Sequence, residues 1–362
     1  MRILVALGTR PEAIKLAPVV LALRARGAEP RVATTGQQEA LAAEALAAFG
    51  LAPDVALDAP PAARGLSESV AAMLRGLAGV IAEASPGAVV VQGDTASCFA
   101  AAFAAFHAGV PVAHVEAGLR SRDLGNPFPE EGYRVAVDGI ARWLFAPTAE
   151  AAANLSAEQA RGARVLVTGN TGVDALLAMR AQVAAERCPV EVPEGRRLVV
   201  ATLHRRESFG PVLAGLAEAL AAIAARPDVV LALPLHPNPA ACAPLRARLS
   251  GLPRVVLLEA LPYPRMVRLL AAASLLLTDS GGLQEEVPAL GLPVLVLREV
   301  TERPEAVAAG SALLAGTDPA RIVALAQALL DDEPRRAAMA VPRFPYGDGQ
   351  AAGRIAEALL GR

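Results

Sequence analysis

Short apolar runs rich in Val, Leu and Ile alternate with longer Ala/Leu segments along the whole chain. That alternation limits the fold more than any other feature. The runs fall at residues 3–7, 31–35, 88–91, 112–115, 144–146 and 164–167, then at 198–202, 229–233, 255–258, 275–278 and 294–297. Strands of this length, each followed by a helical segment, fold as parallel sheets with helices on both faces. The expected class is therefore α/β. A length of 362 residues allows two or three domains. The turn cluster Gly169-Asn170-Thr171-Gly172 and the Pro-bearing connector from Arg187 to Gly195 bracket the expected boundary. Residues 1–170 and 171–342 are then two doubly wound halves.

Hydrophobic residues make up 54% of the chain, much of it alanine. One stretch, residues 95–115, carries no charged side chain and is long enough to span a bilayer. His107, Gly109 and Pro111 interrupt it, so it reads as a helix, a turn and a buried strand. No membrane partner is expected. The first residues enter a strand at once, so no leader is expected either. A net charge of −2 gives no support for nucleic acid. Cys98, Cys188 and Cys242 are widely spaced and form no metal-type pair, which suits a reducing cytoplasm.

Ligands of doubly wound sheets bind at the C-terminal ends of the strands, and the polar residues gather there. Gln92-Gly93-Asp94-Thr95 follows one run, and Glu116-Ala117-Gly118-Leu119-Arg120 follows another. Pro129-Glu130-Glu131 opens a helix. In the second half, His204-Arg205-Arg206-Glu207, His236-Pro237-Asn238-Pro239 and Asp279-Ser280-Gly281-Gly282 each follow a run. Asp94 has an alternative reading as a helix cap. Thr9 and Glu12 have the spacing of a capping box. Glu130 and Glu131 sit where acids favour a helix dipole in any case. His107, among Ala and Phe, reads as structural, while His114 in its apolar strand could be structural or functional. His204 and His236, in polar turns, read as functional.

Lys15 is the one lysine among 34 cationic residues. Ammonium and guanidinium are not interchangeable where a compact charge is needed. It stands in Gly8-Thr9-Arg10-Pro11-Glu12-Ala13-Ile14-Lys15, after the first strand run. A strand-to-helix turn of this kind is a usual phosphate site. Several familiar templates are missing from the sequence. There is no Walker A spacing, no Gly-x-Gly-x-x-Gly after the first run, no metal-ligand spacing and no Gly-x-Ser-x-Gly elbow. No nicotinamide, flavin or metal cofactor is expected.

Taken in order, these motifs, with Leu283-Gln284-Glu285-Glu286 and Thr301-Glu302-Arg303-Pro304-Glu305, resemble one family over nearly the whole chain. It is the bacterial non-hydrolysing UDP-N-acetylglucosamine 2-epimerases. The resemblance implies a glycosyltransferase-B-like fold with two Rossmann-like domains and a central cleft. It also implies a homodimer and a C-terminal helix, within residues 343–362, that returns to the first domain. The implied reaction interconverts UDP-N-acetylglucosamine and UDP-N-acetylmannosamine by eliminating UDP across C1–C2, through 2-acetamidoglucal, and adding it back. By match to the motifs, Asp94, Glu116 and Glu130 would serve proton transfer. His204 would assist at the pyrophosphate or act as an acid. Arg10, Lys15, Ser280, Gly281 and Gly282 would hold phosphates, and Glu286 the ribose. Arg303 and His236 would complete the site.

Gly36-Gln37-Gln38-Glu39 departs from the family's usual Gly-Gln-His-Arg, which contributes to a second, regulatory nucleotide-sugar site. Tyr133 stands where Asn is common, and Leu261 and Met266 stand where Gln and Phe can contact uracil. The rival readings are a glycosyltransferase of the same fold, a hydrolysing epimerase, and a non-catalytic nucleotide-sugar sensor.

Overall fold

Each apolar run forms a strand in the computed structural model, which describes residues 1–58, 65–157, 162–203, 211–235 and 239–361. The first sheet holds β1 (Arg2–Leu7), β2 (Glu29–Thr34), β3 (Val55–Ala56), β4 (Ala88–Gln92), β5 (Val112–Val115), β6 (Trp143–Ala146) and β7 (Arg164–Val167). The second holds β8 (Arg197–Thr202), β9 (Val229–Pro234), β10 (Val255–Leu258), β11 (Leu275–Thr278), β12 (Val294–Val296) and β13 (Ala312–Leu314). All the strand pairs are parallel. The chain divides into one unit of Met1–Ala175 with Tyr346–Arg362, and another of Leu176–Pro345. Each is a Rossmann-like α/β domain.

Alternate side chains of a strand point to opposite faces, and β1 shows what this does. Ile3, Val5 and Leu7 enter one core with Leu16 and Val20 of the helix Arg10–Ala25. Leu4 and Ala6 enter another with Met73 and Leu77 of the helix Leu66–Ala84. A strand buried on both faces must be apolar throughout, which is why β1 reads as an unbroken run. The first core is completed by the helix Ala351–Leu360, which supplies Ala352, Ile355, Ala356 and Leu359. Several bonds fasten this returning segment, two of them near the turn after β7. Asp174 Oδ1 accepts the Ala352 N–H at 2.8 Å, and Tyr346 O accepts the Asn170 N–H at 2.6 Å.

In the first sheet the strand order is β3-β2-β1-β4-β5-β6-β7. The chain winds outward from β1, then crosses back to lay β4 on its other side. The order reverses between β1 and β4, so the loops leaving these strands diverge and open a crevice there. The second sheet, β10-β9-β8-β11-β12-β13, reverses between β8 and β11. The turns that carry Arg10, Asp94 and Ser280 leave β1, β4 and β11, while Glu116 follows β5. Among the described residues, no helix is long and apolar enough to cross a membrane.

Candidate active site

The turn after β1 is held shut by its own acid. Thr9 caps the helix Arg10–Ala25 and forms a capping box with Glu12. The buried Glu12 carboxylate also accepts from Gly8 N–H at 3.0 Å and from Thr95 Oγ1 at 2.7 Å. Burial raises its pKa, although these bonds oppose the shift. Gly8 is required by close approach: a Cβ there would lie 1.9 Å from Ser97 Oγ. Thr95, not Asp94, caps the next helix, its hydroxyl accepting from Cys98 N–H at 3.0 Å. Asp94 is thus released from the capping alternative, and its carboxylate pairs with Arg134.

Asp94 and Glu130 line one cavity of about 300 Å³, together with Thr9, Gln37, Gln38 and Tyr133. Glu130 opens the helix Glu130–Asp138. Its charge, after partial burial, helps push the Tyr133 hydroxyl above its ordinary pKa. Gln37 Oε1 accepts from Ser97 Oγ at 2.6 Å, and Gln38 Oε1 accepts from Arg10 N–H at 3.3 Å. Glu116 is not part of that lining. It follows β5, and its Oε2 takes the Lys15 ammonium at 2.5 Å and the Gln92 amide at 2.7 Å. Its φ of +67° is left-handed, which a non-glycine residue adopts only under constraint. Gln92 stands in a motif found in the sequence, though without a role, and Arg134 is not singled out there at all. The only sign of Arg134 was its place one turn after Glu130 and Glu131, where a cation can reach back to acids.

Behind these acids lies a buried polar network. His114 is fully buried, with Nδ1 2.6 Å from Asp138 Oδ1 and Nε2 2.7 Å from Gly93 O. Asp138 Oδ2 takes the Gly118 N–H at 3.1 Å and Arg120 Nη1 at 2.8 Å. Burial would raise the Asp138 carboxyl, but the charges and hydrogen bonds of His114 and Arg120 hold it below its ordinary value. The Cys98 thiol shows how many acids converge here. Burial, then the charges of Glu12, Asp94, Asp138 and Glu116, drive it well above its usual range. Gly118, at φ +87°, lies so near the helix Ala149–Ala157 that a Cβ would sit 2.2 Å from Ala151 O.

In the second unit, Ser280, Gly281, Gly282, Glu286 and Arg303 come together at the end of β11. Ser280 caps the short helix Gly281–Glu286, and its N–H donates to Thr278 Oγ1 at 3.0 Å. Thr278 Oγ1 lies 2.7 Å from Thr202 Oγ1 on the adjacent β8. Arg303 lies over Gly281, where a Cβ would be 3.1 Å from its Cζ. Its Nε donates to Glu285 at 2.8 Å, and Glu302 also pairs with it. The Glu286 carboxylate is buried beside Gly282. His204 and His236 lie outside the described residues.

The chain as a whole is similar to known proteins. The sequence model of the family described as UDP-N-acetylglucosamine 2-epimerase matches residues 21–360. An Escherichia coli protein named UDP-N-acetylglucosamine 2-epimerase is 43% identical over 370 residues, covering 99% of this chain and 98% of its own. The Neisseria meningitidis UDP-GlcNAc 2-epimerase, solved bound to UDP-GlcNAc, superposes with a TM-score of 0.93 at 36% identity, covering 100% of both chains. The Methanocaldococcus jannaschii enzyme, solved with UDP-GlcNAc and UDP, has a TM-score of 0.83 at 31% identity, again over 100% of both chains. With sequence likeness and fold agreeing over its full length, the chain belongs to the UDP-N-acetylglucosamine 2-epimerase family.

Proposed function

We propose that this chain interconverts UDP-N-acetylglucosamine and UDP-N-acetylmannosamine by eliminating and re-adding UDP. The observation that carries this reading is the placement of Asp94, Glu116 and Glu130 beside the point where the first sheet reverses its order, in a chain of this family. The C2 proton of the sugar has no carbonyl beside it, so removing it alone is very difficult. Elimination couples the two losses: a carboxylate takes the C2 proton, the C1–O bond breaks, and its electrons leave with UDP. The product is 2-acetamidoglucal. Re-addition forms the C1–O bond again while a second acid protonates C2 from the opposite face. Inversion therefore needs acids on both faces, and a positioned acid or base contributes roughly 10²–10⁴-fold.

Departing UDP carries developing negative charge, which cations and backbone N–H groups stabilise. Arg10 and Lys15 would serve this need in the first unit, and Ser280, Gly281, Gly282 and Arg303 in the second. Lys15 already neutralises Glu116, so one ammonium would answer both the acid and the leaving group. Glu286 would take the ribose hydroxyls. His204 would act at the pyrophosphate or as an acid, and His236 would complete the site. The test is proton NMR of UDP-N-acetylglucosamine with the protein in D2O. Deuterium at C2 with a new manno-configured nucleotide sugar is expected. Free N-acetylmannosamine would instead mean hydrolysis, and an unchanged spectrum would leave a transferase or a sensor.

A further inference from the structure

We propose that His114 is a positioning residue for proton transfer, tying the turn that carries Asp94 to the strand end that carries Glu116. The inference rests on the epimerase reading above, because it concerns the placement of those two acids.

His114 is fully buried on β5 and does not line the cavity. A neutral imidazole offers one N–H and one lone pair. Here both ring nitrogens face acceptors, the Gly93 carbonyl at 2.7 Å and the Asp138 carboxylate at 2.6 Å. Each ring nitrogen is thus paired with an oxygen, and the ring is clamped between the two. Gly93 immediately precedes Asp94 and is gripped from both sides by β5. Its N–H donates to Val115 O at 3.0 Å, and its carbonyl accepts from the ring. Gly118 follows Glu116 by two residues, and its N–H ends on Asp138, the other partner of the ring. The chain Gly93–His114–Asp138–Gly118 thus fastens the residues two before and two after Glu116.

Stability alone is a poor reason for such a network. A buried ion pair gains little over well-packed apolar groups of the same size. What charge-assisted bonds in a low-dielectric interior add is fixed geometry. Geometry is what this site needs, because Glu116 keeps its left-handed backbone only if its surroundings enforce it. A displacement near 1 Å in a reacting group can cost about 10²-fold in rate.

The experiment compares the parent with His114→Gln and Asp138→Asn in the full chain. It measures kcat, UDP affinity, thermal midpoint and the primary deuterium isotope effect with C2-deuterated substrate. Asp138→Asn keeps the shape of the network while removing its charge, so it carries the test if His114→Gln does not fold. Expected is a loss in kcat of roughly 10- to 100-fold with UDP affinity within about 3-fold of the parent. A larger isotope effect should accompany it, because misplaced acids make C–H cleavage the slow step. A fall in thermal midpoint with parental kcat, a fall in kcat with an unchanged isotope effect, or failure of both variants to fold would overturn the assignment. Absence of C2 deuterium wash-in in the parent itself would refute the epimerase reading instead.

Discussion

The Lys15 ammonium lies 2.5 Å from Glu116 Oε2, joining the first turns of the helix after β1 to the end of β5. Both side chains are 12% exposed, and Gln92 donates to the same oxygen at 2.7 Å. The space holds a compact charge, and a planar guanidinium is larger and requires a different approach. Lys15→Met is expected to cut kcat by roughly 10²-fold, and Lys15→Arg by less, with both proteins folded. Steady-state kinetics beside circular dichroism would check this. Parental turnover in Lys15→Arg would make the lone lysine an accident of composition.

Arg134 pins Asp94 and also lies 3.3 Å from the buried Glu131. Glu131 keeps other partners, the N–H groups of Ser121 at 3.0 Å and Arg122 at 2.9 Å. Removing Arg134 should therefore disturb Asp94 more than the fold. Arg134→Met is expected to lower kcat by roughly 10²-fold while UDP affinity, followed by calorimetry, stays near parental. A variant that lost UDP binding but kept its turnover number would place Arg134 with the phosphates instead.

Asp174 offers a test of stability against pH. Burial raises its carboxyl to about 6 from an ordinary 3.8, although the N–H groups of Ala352 and Ala351 oppose the shift. A carboxyl raised on folding favours the folded state while protonated. Its contribution is complete below about pH 4 and is lost as pH rises through about 6. Asp174→Asn should then stabilise the chain at pH 7.5, by up to ~3 kcal/mol, with no gain near pH 4. Thermal midpoints at the two pH values would decide it, since an equal change at both would mean that Asp174 does not titrate in this range.

Gln38 and Glu39 stand where the family pattern has His-Arg. The loop that carries them is fastened inward. Gln38 N–H donates to Gly8 O at 2.8 Å, and Gln37 Oε1 accepts from Ser97 Oγ. An acid beside a diphosphate is repulsive. Starting from UDP-N-acetylmannosamine alone, turnover is expected to begin without a lag. If turnover waited for added UDP-N-acetylglucosamine, other residues would have to supply a regulatory site.

The sequence revealed the strands where burial on both faces forces an apolar run, as in β1 and β4. It did not reveal β3 or β13, because Val55–Ala56 and Ala312–Leu314 are too short to establish a pattern. The motif residues could be found because turns after strands must be polar. Their partners could not. His114 and Asp138 are separated by 24 positions and meet only when the helix Glu130–Asp138 folds back against β5. Nothing in the letters around Glu116 shows that a glutamate, rather than a glycine, occupies a left-handed position.

The helix Ala351–Leu360 fills the core of the first unit, yet the ribosome makes it after the whole of Leu176–Pro345. At the usual 5–20 residues per second, β1 to β7 would wait roughly ten to forty seconds for their last buried side chains. In that interval the face of Leu16 and Val20 lacks Ile355 and Leu359. The domain begun first is thus the domain finished last, and its apolar face stays open longer during synthesis than any in the second. A released chain truncated after residue 345 should show protease resistance in the second unit and sensitivity in the first. Equal protection of both would mean that the returning helix is dispensable to the fold it completes.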